Sequence, residues 1–415
     1  MPDLTREAVL TWDAEDPLRS FRGRFATVGD DLCYLDGNSL GRPPAETAER
    51  LAKVVTDEWG GGLVRSWSTW IDWTRRLGDV LGTRLLGAGE GEVVLSDSTS
   101  VNLYKLAAAA VTSWTERHPG VAGTILFDGE DFPTDRYVVQ GLAAERGLTA
   151  RGVAPDELES ALSEDVALVV LSLVNYRTAE LLDMASVNAM AREAGTRVLW
   201  DLSHAAGALP VRLAEAGAEL AVGCTYKYLN AGPGAPAFLY VRRDLQPLLR
   251  QPVWGWFGQR DQFAMGPEYE PAAGIERFLA GTPPILSLAA VEPALEVCVA
   301  AGIDEIRRKS VRQCELIIEL ADRWLHGYGI RVDTPRSERR RGGHVCLRGP
   351  DMWRLCQALA HAGVIGDFRA PDCLRLAPAP LYTRFSEVWD AMDRLRSILE
   401  NGLHERFSAR PGRVT

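Results

Sequence analysis

Short apolar runs alternate with amphipathic stretches through the middle of this chain, and that alternation leaves few folds open. The runs fall at 92–95, 123–127, 166–172, 197–200 and 220–223, with helical patterns such as 184–194 between them. They are continuously apolar instead of alternating, which predicts strands covered on both faces. Strands of that kind spaced by helices predict an α/β fold with a mostly parallel sheet, whose ligands sit beyond the carboxyl ends of the strands. Residues 288–325 then read as helical. Strand-like 345–347 and 374–376 follow, with helices near 352–362 and to about 403, and these predict a smaller α+β domain. The chain is accordingly divided into a segment 1–45 lying on the small domain or across the large one, a large domain 46–290 and a small C-terminal domain 291–415.

Composition narrows the partners. A formal net charge of −10 argues against broad affinity for nucleic acid or anionic membranes. No run reaches the length of a membrane span, and the first residues lack a charged-then-apolar leader, so a cytoplasmic protein is expected. The seven cysteines show no C-x-x-C pair and the six histidines no H-E-x-x-H, so reduced thiols and no metal are expected. Trp70 and Trp73 read as core, and Arg339-Arg340-Arg341-Gly342-Gly343 as a solvated turn between small-domain strands.

One lysine stands out by its company. Lys227 follows the apolar run 220–223 and precedes the turn Gly232-Pro233-Gly234. Partial burial there would leave some of its amine neutral and able to attack an aldehyde. Alone it would be an ordinary strand-end lysine. However, the chain also offers the other parts that a pyridoxal phosphate site needs. Thr99 and Ser100, in Ser96-Asp97-Ser98-Thr99-Ser100, open a helix whose positive end favours a phosphate. Asp201 ends a strand, where its charge would keep a pyridine nitrogen protonated. Ser172 closes another strand and His204 lies just past Asp201. The loop Asp131-Phe132-Pro133-Thr134-Asp135 brings a ring and polar groups to the same edge. Each of these has an ordinary reading as a cap or a strand end, and only their convergence on one edge favours the site.

Longer motifs carry a family resemblance. Tyr34-Leu35-Asp36-Gly37-Asn38-Ser39-Leu40-Gly41, Val174-Asn175-Tyr176-Arg177-Thr178, the Lys227 segment, Gly255-Trp256-Phe257-Gly258 and Gly281-Thr282-Pro283-Pro284-Ile285-Leu286 together resemble kynureninase, from about residue 12 to 403. The resemblance implies a pyridoxal 5′-phosphate enzyme of the aspartate aminotransferase fold (fold type I). It further implies a homodimer with its site built across the interface, and hydrolysis of the amino acid L-kynurenine to anthranilate and L-alanine in tryptophan catabolism. By the same resemblance Lys227 and Tyr226 are catalytic. Thr99, Ser100, Phe132, Asp135, Ser172, Asp201, His204, Tyr226, Lys227, Trp256 and Thr282 contact the cofactor, with Phe132 stacking on its ring. Arg375, Trp67 and Asn38 meet the substrate. Trp67 and Thr282 resemble the bacterial form that favours kynurenine over its 3-hydroxy relative.

One departure stands out. Gln259 follows Gly-Trp-Phe-Gly where the family usually has histidine, and an amide cannot shuttle a proton. A ring-substituted kynurenine is therefore an alternative substrate. A cysteine desulfurase or other β-lyase using Cys346 is a further reading, set against by the strand-like alternation around that residue. A noncatalytic relative has only Gln259 in its favour.

Overall fold

A computed structural model describes residues 4–27, 29 and 31–412. Its architecture follows from where continuous apolar runs must go. Among the described residues, seven strands form the main sheet: β1 (Val93–Leu95), β2 (Thr124–Asp128), β3 (Thr149–Val153), β4 (Val166–Ser172), β5 (Val198–Asp201), β6 (Leu220–Gly223) and β7 (Phe238–Val241). Their order across the sheet is β1-β7-β6-β5-β4-β2-β3. All neighbours are parallel except at β7, which runs antiparallel to both β6 and β1. Every residue of β5, β6 and β7 is buried, as strands covered on both faces must be. Helix α1 (Thr99–Arg117) lies on the sheet through the buried run Ala107, Ala108, Ala109 and Ala110. Methyl side chains there keep the helix axis close to the strands.

The pattern 288–325 is two helices, α2 (Ile285–Ala301) and α3 (Ile303–Trp324), bent by 79°. Gly302 sits between them at φ 77°, a left-handed conformation that periodicity alone does not reveal. Among the described residues no single helix is long and apolar enough to cross a membrane; this bent pair passes by length and composition, and its apolar residues lie in the protein's own cores.

A second sheet of four strands has the order β10-β11-β9-β8, from β8 (Arg331–Val332), β9 (Val345–Arg348), β10 (Asp367–Arg369) and β11 (Cys373–Leu376). Its core takes in Leu4, Val9, Cys33 and Leu35 from the start of the chain. There Cys33–Tyr34 pairs in parallel with Val364–Ile365, and Asp36 bridges Ala377. The N-terminal segment thus runs from this second sheet toward the Lys227 turn.

Two expectations need correction. Cys346 and Cys373, on adjacent antiparallel strands with Cα atoms 6.1 Å apart, are joined as a disulfide, so not all seven thiols are free. The basic run 339–341 is not wholly solvated, because Arg341 is 1% exposed and reaches Glu315 at 3.1 Å and the Arg336 carbonyl.

Candidate active site

The carboxyl ends of β2, β4, β5 and β6 bring most of the singled-out residues together. Lys227, partly buried just past β6, has its Nζ 3.3 Å from His204 Nε2. The same Nζ lies 6.0 Å from the Phe132 ring centre and 5.9 Å from that of Tyr226. Burial first, then the charges of Lys227 and of nearby His344, hold His204 well below the ordinary histidine value. The imidazole beside the lysine is therefore neutral around pH 7. Burial also raises the Tyr226 phenol, with Cys224 adding to it, so Tyr226 keeps its proton.

Three carboxylates gather behind this lysine. Asp201 is 6% exposed and accepts the Ser203 N–H at 2.6 Å. Asp131 accepts the Ser172 hydroxyl at 2.6 Å and the Ser172 and Phe132 N–H groups at 2.9 and 2.7 Å. Burial pushes Asp131 up to about 6 despite those bonds, with the Asp201 charge adding to the rise. Asp135, 2% exposed, rises well above the carboxylate range through burial and then through Asp201 and Asp131. Its Oδ2 is buried without a hydrogen-bond partner. Asp135 lies in the first turn of the helix Pro133–Arg146 and not in a loop, which aims its carboxylate inward.

Thr99 and Ser100 are the first two residues of α1, with Ser98 as N-cap accepting the Val101 N–H at 3.4 Å. The loop before them is held from inside the protein. Lys105 is 0% exposed, and its Nζ reaches Asp97 Oδ2 at 2.7 Å and both Ser96 Oγ and Asn102 Oδ1 at 3.3 Å. Asp97 adopts φ 47°, so this ion pair fixes a turn that an unpaired aspartate would rarely keep.

Arg375 is 1% exposed and already engaged. It donates to the Tyr176 carbonyl at 2.5 Å, to Ser39 Oγ at 3.2 Å and to Asp367. With its amide oriented to suit its neighbours, Asn38 donates to Asp36 at 3.0 Å and accepts from Arg375 at 3.3 Å. The Arg375 Nε is buried without a partner, leaving one donor uncommitted.

Trp67, Trp256 and Thr282 fall elsewhere. Trp256 Nε1 donates to Thr282 Oγ1 at 3.3 Å, and Trp256 packs edge-on against Phe257, which Trp67 also touches. Trp67 and Thr282 line an apolar cavity of about 610 Å³ whose walls include the exposed Trp59, Leu63, Val64 and Leu286. Lys227 is not part of that wall. Gln259 is occupied too: its Oε1 accepts the Glu270 N–H at 2.6 Å and its Nε2 donates to the Glu268 carbonyl at 3.4 Å, so it clamps a loop. Cys346 is 1% exposed within β9, so it presents no mobile nucleophile.

Three participants were not singled out from the sequence: Asp131, Lys105 and His344. The four-residue step from Asp131 to Asp135 across a helix start was the available signal for the first. Lys105 could have been found as a lone cation on the apolar face of α1. His344, fully buried with its ring centre 5.8 Å from that of His204, occupies an inward position of β9's approach and carried no signal beyond its alternation.

The family model for the kynureninase C-terminal domain matches residues 306–395. A protein named kynureninase from Pseudomonas fluorescens is 45% identical over 401 residues, covering 95% of this chain and 96% of that protein. One of the same name from Burkholderia pseudomallei (strain 1106a) matches to the same extent. Among solved structures, the cysteine desulfurase from Thermococcus onnurineus superposes with a TM-score of 0.77 at 16% identity, covering 97% of this chain and all of that one. A C-DES mutant with glycine covalently linked to its PLP cofactor gives 0.78 at 19% identity over 90% and 98% of the two chains. These structures establish the fold as that of PLP-dependent fold type I enzymes.

Proposed function

This chain belongs to the kynureninase family, and from that premise we propose that it uses pyridoxal 5′-phosphate to hydrolyse L-kynurenine, adding one water to give anthranilate and L-alanine. The residues present fit the cofactor. Asp135 and Asp201 are buried side by side and their charges oppose each other, which a cation beside the pair would relieve, and a protonated pyridine nitrogen is one. The start of a 19-residue helix bearing two hydroxyls suits a phosphate dianion. Bound there, the cofactor supplies an electrophilic aldehyde and an electron-withdrawing ring.

The chain's own residues do the rest. Lys227 carries the nucleophilic amine that would hold the cofactor's aldehyde, and its Nζ is the base that would accept and return a proton at the substrate α-carbon. Neutral His204, at 3.3 Å, orients that amine without adding a competing positive charge. Tyr226 retains its phenolic proton and is the donor at the alanine-forming carbon. Asp201 and Asp135 would face the cofactor's ring nitrogen and favour its protonated form, and Phe132 would stack on the ring. Asp131 keeps Ser172 in place. Arg375 offers its uncommitted Nε–H to the substrate carboxylate, with Asn38 beside it.

Trp67, Trp256 and Thr282 enter this proposal through a second copy of the chain. They sit on an exposed apolar surface apart from Lys227, and a patch of that kind favours a homodimer in which one protomer's cluster completes its partner's site. The division at residues 45 and 290 and a cytoplasmic setting belong to the same reading.

The observation that carries the proposal is the lysine amine beside a neutral imidazole, in front of the buried carboxyl pair Asp201 and Asp135. The test is purified protein loaded with pyridoxal 5′-phosphate and given kynurenine, 3-hydroxykynurenine and ring-substituted analogues, with aromatic product read by fluorescence. Borohydride trapping should label Lys227. Label at another residue, or no aromatic amine released from any of these substrates, defeats the proposal.

A further inference from the structure

A second cavity, of about 210 Å³, has Arg250, Trp254, Tyr269, Pro271 and Arg277 in its wall. Arg277 is 9% exposed, and among the described residues its guanidinium has no hydrogen-bond or ion-pair partner. Arg250, exposed on the same wall, has none either. The nearby acids are committed: Glu276 pairs with Arg75 at 3.2 Å and Glu270 with Arg260 at 2.9 Å. Burial, offset in part by Tyr269 and reinforced by repulsion from Arg250, holds Arg277 below the ordinary arginine value. Arg277 thus presents an uncommitted cation to the cavity, and in a chain of net charge −10 none of its own acids among the described residues meets it.

The rest of the wall defines the shape of the missing anion. Trp254 stacks on Tyr269 with ring centres 5.0 Å apart and planes 14° from parallel, and Pro271 adds a flat apolar surface. A guanidinium matches a planar carboxylate through two parallel N–H···O bonds, whereas a phosphate would place its remaining oxygens against these apolar rings. From this we infer that the cavity binds a small aromatic carboxylate, its charge on Arg277 and Arg250 and its ring along the Trp254 and Pro271 surface. The inference does not depend on the reaction proposed above.

Benzoate is the probe, titrated into the cofactor-loaded protein by calorimetry with tryptophan fluorescence as a second readout. The expected result is one benzoate site per chain that Arg277→Gln weakens at least tenfold and Arg250→Gln by a smaller factor. Arg375→Ala should leave that site intact, and inorganic phosphate should compete poorly. Arg250 is exposed, so its variant keeps the test decisive if Arg277→Gln does not fold. Equal affinity in wild type and both glutamine variants overturns the inference, as does loss of binding only in Arg375→Ala. Sedimentation gives a third overturning result: no benzoate bound, with Arg277→Gln loosening association between copies, assigns the missing carboxylate to a side chain of a second copy.

Discussion

Replacing Gly41 by alanine probes how the N-terminal segment is held against the Lys227 turn. A Cβ at position 41 would lie 2.3 Å from the Lys227 carbonyl oxygen, 2.4 Å from Asn230 Oδ1 and 2.7 Å from Asn230 Cα. Two of those atoms are backbone and cannot rotate away. Gly41 is not among the residues with positive φ, so alanine's own backbone preference is not the obstacle. The cost comes from close approach alone. Overpacking of this kind costs about 1–3 kcal/mol. The displacement also breaks the bond from the Gly41 N–H to the Tyr226 carbonyl, 2.8 Å long, for about 0.5–1.5 kcal/mol more. A loss of about 2–4 kcal/mol in chemical denaturation is expected. Because both clashing residues belong to the Lys227 turn, weaker cofactor binding, followed by visible absorbance, should accompany it. Gly37→Ala is the control: its nearest contact is the Ala379 methyl at 3.0 Å, so the same segment should tolerate it better. Gly41→Ala with unchanged denaturation and unchanged cofactor affinity would refute the reasoning.

Three further outcomes are expected. Asp131, raised from 3.8 to about 6, binds more proton folded than unfolded between those values, so its contribution is present below pH 4 and is lost as pH rises through 6. Asp131 should account for about 3 kcal/mol of lost stability across that window in the cofactor-free protein, so Asp131→Asn should flatten the slope of denaturation against pH, with Asp135 keeping a slope of the same sign. Lys105→Met takes away the buried cation that overrides burial and holds Asp97 below the ordinary range. With Asp97 partly exposed, a loss of about 2–3 kcal/mol in urea is expected, together with weaker cofactor affinity; an unchanged affinity would sever Lys105 from the helix-start loop. Arg375→Ala should raise KM for kynurenine by the equivalent of about 2–5 kcal/mol, and an unchanged KM would remove Arg375 from the substrate's carboxylate.

What the sequence made legible was what burial imposes on residue type. Runs 166–172 and 220–223 emerge as strands with those bounds because a strand covered on both faces has to be apolar throughout. Thr149–Val153 escaped for the opposite reason. It is an edge strand, mostly exposed, and carries Arg151 and Gly152 where a central strand could not. Phe238–Val241 is as apolar as its neighbours, but composition carries no direction, so its antiparallel course between Leu220–Gly223 and Val93–Leu95 is a property of the chain's return path.

The site divides in the same way. Asp201 and Lys227 were legible because each ends an apolar run, and ends of parallel strands converge. Within the acid cluster Asp135 was reached through the family resemblance and Asp131 was not, since both look like any acids at a helix start and only their burial beside Asp201 makes them unusual. Trp256 and Thr282 show the reverse limit: motif resemblance placed them in one group with Lys227, while the fold pairs them with each other on a separate apolar surface. The homodimer proposed above would bring the two groups together, and motif resemblance alone does not say which copy of a chain contributes a residue. The physical case for the site accordingly rests on the acids. Three carboxylates that are 2%, 2% and 6% exposed cannot all be charged together without a positive partner. The Lys227 charge already acts on Asp135, and the protonated ring nitrogen of the proposed cofactor would add a second positive charge beside the cluster.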